Sequence, residues 1–292
     1  MPAEINDVSK TFKEVGVVGA GLMGSEIALV HALAGHHVYL VDRTAEMLSQ
    51  ALSRLGTLLD KGITRGFFTP QQRALALKGI EPVTELAALN ACGYITEAVF
   101  EDLQVKADLL VRLDAVCGEE CIFATNTSTI PISTLASRVS PDRQRTFIGT
   151  HYFSPVTRMK LVEVIPGFNT SEETLMVTLE HCRNLGKAPI KVKDVAGFAV
   201  NRMLHAFIIE AVRLVEEGVA SPEDIDTACK AGLGHPLGPF ELMDAVTSSL
   251  CVQAQEIMQE AYGERFRPPG LLKQRVQAGY GGGKGKPGWR TK

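Results

Sequence analysis

The first half of the chain alternates short apolar runs with longer stretches whose apolar positions recur every three or four residues. Short runs bounded by Gly, Asp or Asn fit strands covered on both faces, and the helical period between them makes each unit a βαβ crossover. The pattern predicts strands over 15–19, 37–41, 94–98, 122–125, 146–149, 161–165 and 188–192, with helices over 22–34 and 171–185. Residues 44–78 read as two helices broken near Gly62 and Gly66. After Gly197 the strand signals stop. Residues 199–217 carry apolar side chains at helical spacing and close on Gly218. Ser221 then caps a further helix, with Pro222 in its first turn and Asp224 where the helix dipole favours an acid. The remaining segments read as helices separated by Gly/Pro knots at 232–239 and 268–270, and the Gly- and Lys-rich tail 279–288 is expected to be irregular. No internal repeat is evident, and the change of character places a domain boundary near Ala196.

A length of 292 residues suits two domains with substantial cores. Apolar residues make up 45% and charged ones 22%, the composition of an ordinary globular protein. The net charge of −3 comes from interspersed signs without a long basic run, which disfavours nucleic acid as a partner while leaving room for an anionic ligand on a local basic patch. No apolar stretch reaches the roughly 18 residues that a membrane span needs. Residues 1–13 include Glu4, Asp7 and Lys10, which interrupt any secretory-signal pattern. The six cysteines form no CxxC pair and are expected to be reduced packing residues of a cytoplasmic protein. Neither they nor the seven histidines show metal-ligand spacing, so no metal is expected.

Chemistry enters at Gly19-Ala20-Gly21-Leu22-Met23-Gly24, a GxGxxG motif that follows the first strand and opens the first helix. Gly19 permits the tight turn, Gly21 lets the backbone approach a pyrophosphate, and Gly24 lets helix and strand pack closely. The helix N-terminus favours the anion. Asp42 closes the second strand, where a carboxylate accepts the ribose hydroxyls of NAD and repels the 2′-phosphate of NADP. The adjacent Arg43 could pair with that phosphate, but NAD is the expected cofactor. The bland reading is a glycine turn capped by Asp42; strand, helix and acid together outweigh it. FAD uses the same fingerprint, yet no second flavin signature follows. The fold class is therefore α/β: a Rossmann-type, doubly wound, mainly parallel sheet over 1–195, with a helical-hairpin excursion at 44–78, then an all-helical domain over 196–292.

Three later segments concentrate polar groups. Asn126-Thr127-Ser128-Thr129 follows one apolar strand, and His151 follows another and precedes Tyr152-Phe153-Ser154-Pro155. Open parallel sheets bind ligands beyond the carboxyl ends of their strands, where these two segments lie. Glu163 interrupts the apolar run 161–165. A buried carboxylate is costly without a partner, and an imidazole is a natural one. Spacing alone equally allows Glu163 on the open face of an edge strand, with His151 satisfying a backbone group.

The ordered stretches GAGLMG, EAVFEDLQVK, TNTST, GTHYFSP, MKLVEV, GFAVNR, EEGVASPEDID, GLGHPLGPFEL and AGYGGGKGKPGW run across both halves. On them, the whole chain resembles the L-3-hydroxyacyl-CoA dehydrogenases, particularly the short stand-alone bacterial 3-hydroxybutyryl-CoA dehydrogenases. The resemblance implies NAD-dependent interconversion of (S)-3-hydroxyacyl-CoA and 3-oxoacyl-CoA. His151 would be the general base, Glu163 the carboxylate that orients it, Ser128 a hydrogen-bond partner of the substrate oxygen, and Asn201 an active-site amide. Glu101 and Lys106 match cofactor-side residues. CoA would run over the 44–78 excursion, with Arg54 and Lys61 as phosphate contacts, and the helical domain would supply the far wall of the cleft and a homodimer interface.

The chain departs from the family pattern in places. Ser154 stands where the histidine loop has Asn, which affects hydrogen bonding on the substrate side. Ala196 replaces a Pro before Gly197, Val246-Thr247-Ser248-Ser249 stands at the usual GLD, and Trp289 takes an aromatic position near the end. Two rivals follow: a dehydrogenase of the same superfamily acting on an unusual acyl-CoA or a free hydroxy acid, and a non-catalytic NAD-binding scaffold or sensor.

Overall fold

The computed structural model describes residues 12–283 and 285–290. The expectation about residues 1–13 falls almost wholly outside them. The chain forms two compact units, residues 1–194 and 195–292.

The first unit is built on eight strands: β1 (Glu14–Val18), β2 (His37–Val41), β3 (Ile80–Val83), β4 (Tyr94–Glu97), β5 (Ile122–Thr125), β6 (Phe147–Tyr152), β7 (Leu161–Pro166) and β8 (Ala188–Lys191). They form one sheet in the order β3-β2-β1-β4-β5-β6-β7-β8. Every neighbouring pair is parallel except β6 and β7. Every residue of β4, β5 and β6 is buried, as a sheet covered by helices on both faces requires. Their helices are α1 (Leu22–Leu33), α2 (Ala45–Thr64), α3 (Pro70–Lys78), α4 (Leu103–Asp114), α5 (Ile132–Ala136), α6 (Pro141–Gln144) and α7 (Glu172–Asn184). Strand order reverses between β1 and β4, which creates the crevice where such sheets take their ligands.

The excursion is a helix pair. α2 runs through Gly62, whose missing side chain admits Phe68: a Cβ there would lie 2.3 Å from its ring. The break comes afterwards, at Gly66 with φ +75°. α3 then starts on a reciprocal cap between Thr69 and Gln72, with Pro70 in its first turn.

Neither β3 nor α4 is announced by the sequence pattern. β3 is a sheet edge whose sequence Ile-Glu-Pro-Val buries only Ile80, so no apolar run announces it. α4 carries the charged Lys106 within its buried face and exposes Val105 and Val111, which blurs the helical stripe.

The second unit contains α8 (Val200–Glu216), α9 (Pro222–Leu233), α10 (Pro239–Val246), α11 (Ser248–Tyr262) and α12 (Gly270–Gln277). Ile208, Val212, Phe240, Met243, Leu272 and Trp289 fill its core. Ser221 caps α9 by accepting from the Asp224 amide at 3.1 Å. Buried Asp226 caps α10, accepting from the amides of Phe240 at 2.9 Å and Glu241 at 3.1 Å. The tail holds no helix or strand among its described residues, yet it is fixed in place. Asp244 accepts from the Trp289 amide at 2.8 Å, and the Trp289 indole donates to Ser248 at 3.0 Å. Thr247, between α10 and α11, holds φ +87°, a conformation that suits glycine.

Candidate active site

The glycine loop lies at the sheet's reversal. Gly19 has φ +104°, and a Cβ on it would come within 2.6 Å of the Ala98 carbonyl at the end of β4. Gly24 packs α1 onto the turn so tightly that a Cβ would lie 1.8 Å from the Gly19 oxygen. A Cβ on Gly21 would meet nothing within 4 Å, so the backbone at the start of α1 presents an open cradle. Leu22 is exposed beside it, while Met23 packs partly buried against the core. Asp42 follows β2 directly and fixes the turn, its carboxylate accepting from the Ala20 amide at 2.6 Å and the Arg43 amide at 2.7 Å. An open helix N-terminus flanked by a carboxylate at the next strand end fits a dinucleotide's pyrophosphate and ribose.

Beneath this crevice lies a charged network. Lys106 is 1% exposed, and its ammonium donates to Glu97 at 2.6 Å and the Val99 carbonyl at 3.3 Å, with Glu101 at 3.3 Å. Glu97 also accepts from Thr125 at 2.6 Å and from the Val99 amide at 2.7 Å. One oxygen of Glu101 gathers the Thr127 hydroxyl at 2.6 Å, the Ser128 amide at 2.9 Å, and both the amide and hydroxyl of Thr129 at 3.0 and 2.9 Å. Burial raises the Glu101 carboxyl, but Lys106 and these donors outweigh it and hold it below the usual range. Glu101 thus shapes the loop that carries Ser128. Lys106 sits under that loop with its donors engaged, so it braces the wall rather than lining it. Glu97 was not singled out from the sequence, although a carboxylate in the apolar strand 94–98 is the same signal that marks Glu163.

His151 and Glu163 come together. β6 extends beyond residue 149 to Tyr152, so His151 belongs to the strand itself. Glu163 is its direct partner across the antiparallel pair. His151 Nδ1 lies 2.8 Å from Glu163 Oε2, with the histidine 6% and the glutamate 0% exposed. A carboxylate only accepts, so the proton between the two lies on Nδ1, and Glu163 fixes the orientation of the ring. The Phe153 ring meets the imidazole edge-on at 4.6 Å. Asn126 ties the Ser128 loop to this strand by accepting from the Tyr152 amide at 2.9 Å. Ser128 itself is half-buried. Ser154, exposed, precedes Pro155 across a cis peptide bond. Asn201 stands in the first turn of α8, in the second unit.

A cavity of about 830 Å³ opens between α2, the turn after it and the loop following His151. Arg54, Lys61, Arg65, Arg158 and Lys160 line it, and none of its lining residues is acidic. None of these five forms an ion pair among the described residues, whereas Arg73 of α3 is paired with Asp60 of α2. Phe67, Phe68 and Leu58 form its apolar part, with Arg158 over the Phe67 ring at 5.7 Å. Lys61, expected from the sequence as a phosphate contact, lines the cavity. Arg54 lines the cavity too, but its Nη2 is committed to the Ala20 carbonyl of the glycine loop at 2.7 Å. Among the described residues no cluster of His, Cys, Asp and Glu could hold a metal ion.

A dinucleotide crevice beside a buried histidine–carboxylate pair defines the class as a Rossmann-type NAD-dependent dehydrogenase. Residues 14–195 match the family model for the 3-hydroxyacyl-CoA dehydrogenase NAD binding domain, and 197–292 match that for the 3-hydroxyacyl-CoA dehydrogenase C-terminal domain. The chain is 38% identical over 275 residues to a probable 3-hydroxybutyryl-CoA dehydrogenase of Deinococcus radiodurans, covering 94% of this chain and 98% of that one. It is 44% identical over 241 residues to mitochondrial hydroxyacyl-coenzyme A dehydrogenase of Sus scrofa, covering 80% of this chain and 76% of the relative. Its structure is similar to that of (S)-3-hydroxybutyryl-CoA dehydrogenase from Ralstonia eutropha, with TM-score 0.91 and 36% identity over 97% of this chain and all (100%) of that one. The chain belongs to the 3-hydroxyacyl-CoA dehydrogenase family and is an NAD-dependent dehydrogenase of that family.

Proposed function

We propose that the chain interconverts short-chain (S)-3-hydroxyacyl-CoA and 3-oxoacyl-CoA, the 3-hydroxybutyryl and acetoacetyl esters being its substrates. The buried His151–Glu163 pair carries this reading. His151 Nε2 takes the proton of the 3-hydroxyl, and Glu163 holds the ring in the matching tautomer and balances the imidazolium charge. Ser128 positions the substrate oxygen, and the Glu101 network fixes the Ser128 backbone for that purpose. NAD, held at the 19–24 loop and Asp42 with Glu101 shaping the wall, supplies the hydride acceptor, or NADH the donor in reverse. The basic cavity takes the phosphates of CoA, with Lys61, Arg158 and Lys160 as charge partners. Residues 1–195 serve as the cofactor domain, and 196–292 as the domain for Asn201 and for dimerisation. Exposed Met203, Val219, Leu233, Leu237 and Leu250 on that second unit suit an interface with another copy. Six buried cysteines, none in a disulfide, fit a reducing compartment such as the cytoplasm.

Initial rates with NADH over a series of 3-oxoacyl-CoA esters test the reading, with free 3-oxo acids beside them. The expected result is turnover of acetoacetyl-CoA falling off with chain length. No rate with any acyl-CoA overturns it, and a rate confined to free acids transfers the assignment to the hydroxy-acid branch, to which Ser154 gives standing.

A further inference from the structure

Arg54 touches two sites at once. On one side its Nη2 donates to the Ala20 carbonyl at 2.7 Å, inside the glycine loop. The Ala20 amide is held in turn by Asp42 at 2.6 Å, and the Gly19 amide by the Val41 carbonyl at 2.8 Å. The loop is thus clamped between a cation from α2 and the acid that ends β2. On its other side Arg54 lines the basic cavity. A guanidinium has five N–H donors in a fixed fork, and only one bond to the described residues uses them. The acceptor it has found is a neutral carbonyl, and among the described residues no carboxylate pairs with it.

We propose that Arg54 is a positioning residue that couples the two ligand sites, so that CoA in the cavity and NADH at the glycine loop each tighten the other. The inference rests on reading the cavity as the CoA phosphate site. In the ligand-free protein, holding Arg54 against Ala20 costs side-chain freedom for a single hydrogen bond to an uncharged acceptor. A phosphate in the cavity engages the remaining donors of the fork and compensates the charge. The ordering cost is then met once, and the loop that receives the pyrophosphate inherits a clamp already in place. Because the coupling is an equilibrium property, it is reciprocal: NADH must raise CoA affinity by the same factor. Lys61 lines the same cavity and, among the described residues, makes no hydrogen bond to the glycine loop, so it contributes charge to the CoA site and nothing to the coupling.

Binding of NADH, followed by its fluorescence and by calorimetry, tests this with and without saturating CoA, and CoA binding is titrated with and without NADH. In the wild type the two constants should each tighten about fivefold, the lower end of known coupling energies. In Arg54→Met the factor should fall to about one, while Lys61→Met weakens CoA binding several-fold and keeps the factor. Arg54→Lys keeps the charge but not the fork and should also lose the coupling; it serves if the Met variant melts early. An unchanged factor in folded Arg54 variants, or weaker NADH binding in the presence of CoA, overturns the coupling. Loss of the underlying cavity assignment looks different: CoA binding is then indifferent to Lys61→Met and Arg158→Met alike.

Discussion

On the role proposed for His151 and Glu163, exchanging Glu163 for Gln removes the charge of the pair while nearly keeping its size. The amide is nearly isosteric, and its carbonyl can accept from His151 Nδ1 as the carboxylate does at 2.8 Å. What is lost is the attraction between a carboxylate and the imidazolium that forms as the substrate proton moves. With both charges delocalised, their centres lie roughly 4 Å apart; at an effective dielectric of about 20 this attraction is ~4 kcal/mol. That attraction grows as the substrate proton reaches the ring, so the loss falls on the transition state. Up to ~10³-fold in kcat is therefore at stake, and relaxation around the site brings the expected loss to about 10²–10³-fold. KM for acetoacetyl-CoA should hold, since neither Glu163 nor His151 lines the basic cavity proposed to take CoA. Reduction should suffer with oxidation, because the protonated ring that must serve as acid lacks its counter-charge. The assay is the NADH absorbance change under single-turnover conditions, with thermal melting to confirm that the variant is folded. A folded Glu163→Gln enzyme within about threefold of wild-type kcat, a difference below 1 kcal/mol, would refute the role given to this pair.

Three further outcomes follow from the same structure. His31 is buried between α1 and α7, its Nε2 3.1 Å from that of His181, and burial, the largest influence, lowers its pKa to about 4. Between pH 6.5 and about 4 the unfolded chain takes up a proton that the folded one refuses, so stability falls with pH across that window by about 3 kcal/mol from this residue. Denaturant titrations at several pH values should give His31→Asn a shallower slope than the wild type; equal slopes would contradict the assignment. Thr247→Gly should stabilise the second unit by about 1 kcal/mol, seen as a melting temperature about 3 °C higher, because a β-branched residue there holds φ +87°; a lower melting temperature would count against strain at this turn. Asp42→Ser removes the carboxylate that opposes a 2′-phosphate, and the NADP-to-NAD ratio of kcat/KM should rise about 10-fold or more, while an unchanged ratio would place cofactor choice elsewhere.

Much of the first unit was legible because its strands are buried on both faces and read as uninterrupted apolar runs, and because Gly19, Gly21, Gly24 and Asp42 each answer a distinct backbone or ribose requirement. The Ser221 cap of α9 was legible for the same reason: one side chain, one orphan amide. Other features were hidden by their own physics. β3 is an edge strand with a Pro and one buried residue, and α4 buries a lysine where a helical stripe should be apolar. The extra length of β6 is masked by the polarity of His151 itself. The apolar runs at 146–149 and 161–165 do not themselves state strand direction; only the short connection between them marks a hairpin, and in that antiparallel pair His151 stands opposite Glu163.

That arrangement also decides where the chain can change. His151 and Glu163 belong to the two arms of a hairpin, and the residues between the arms, 153–160, supply Pro155, Thr157, Arg158 and Lys160 to the basic cavity. An insertion within either arm slips the register by one and turns His151 or Glu163 to the opposite face of the sheet. An insertion in 153–160 lengthens only the tip, and the arms stay in step. The hairpin thus separates a part that must keep its length from a part that is at liberty to vary it. In lineages that descend from this scaffold, changes of length would fall at the tip while the arms keep His151 opposite Glu163.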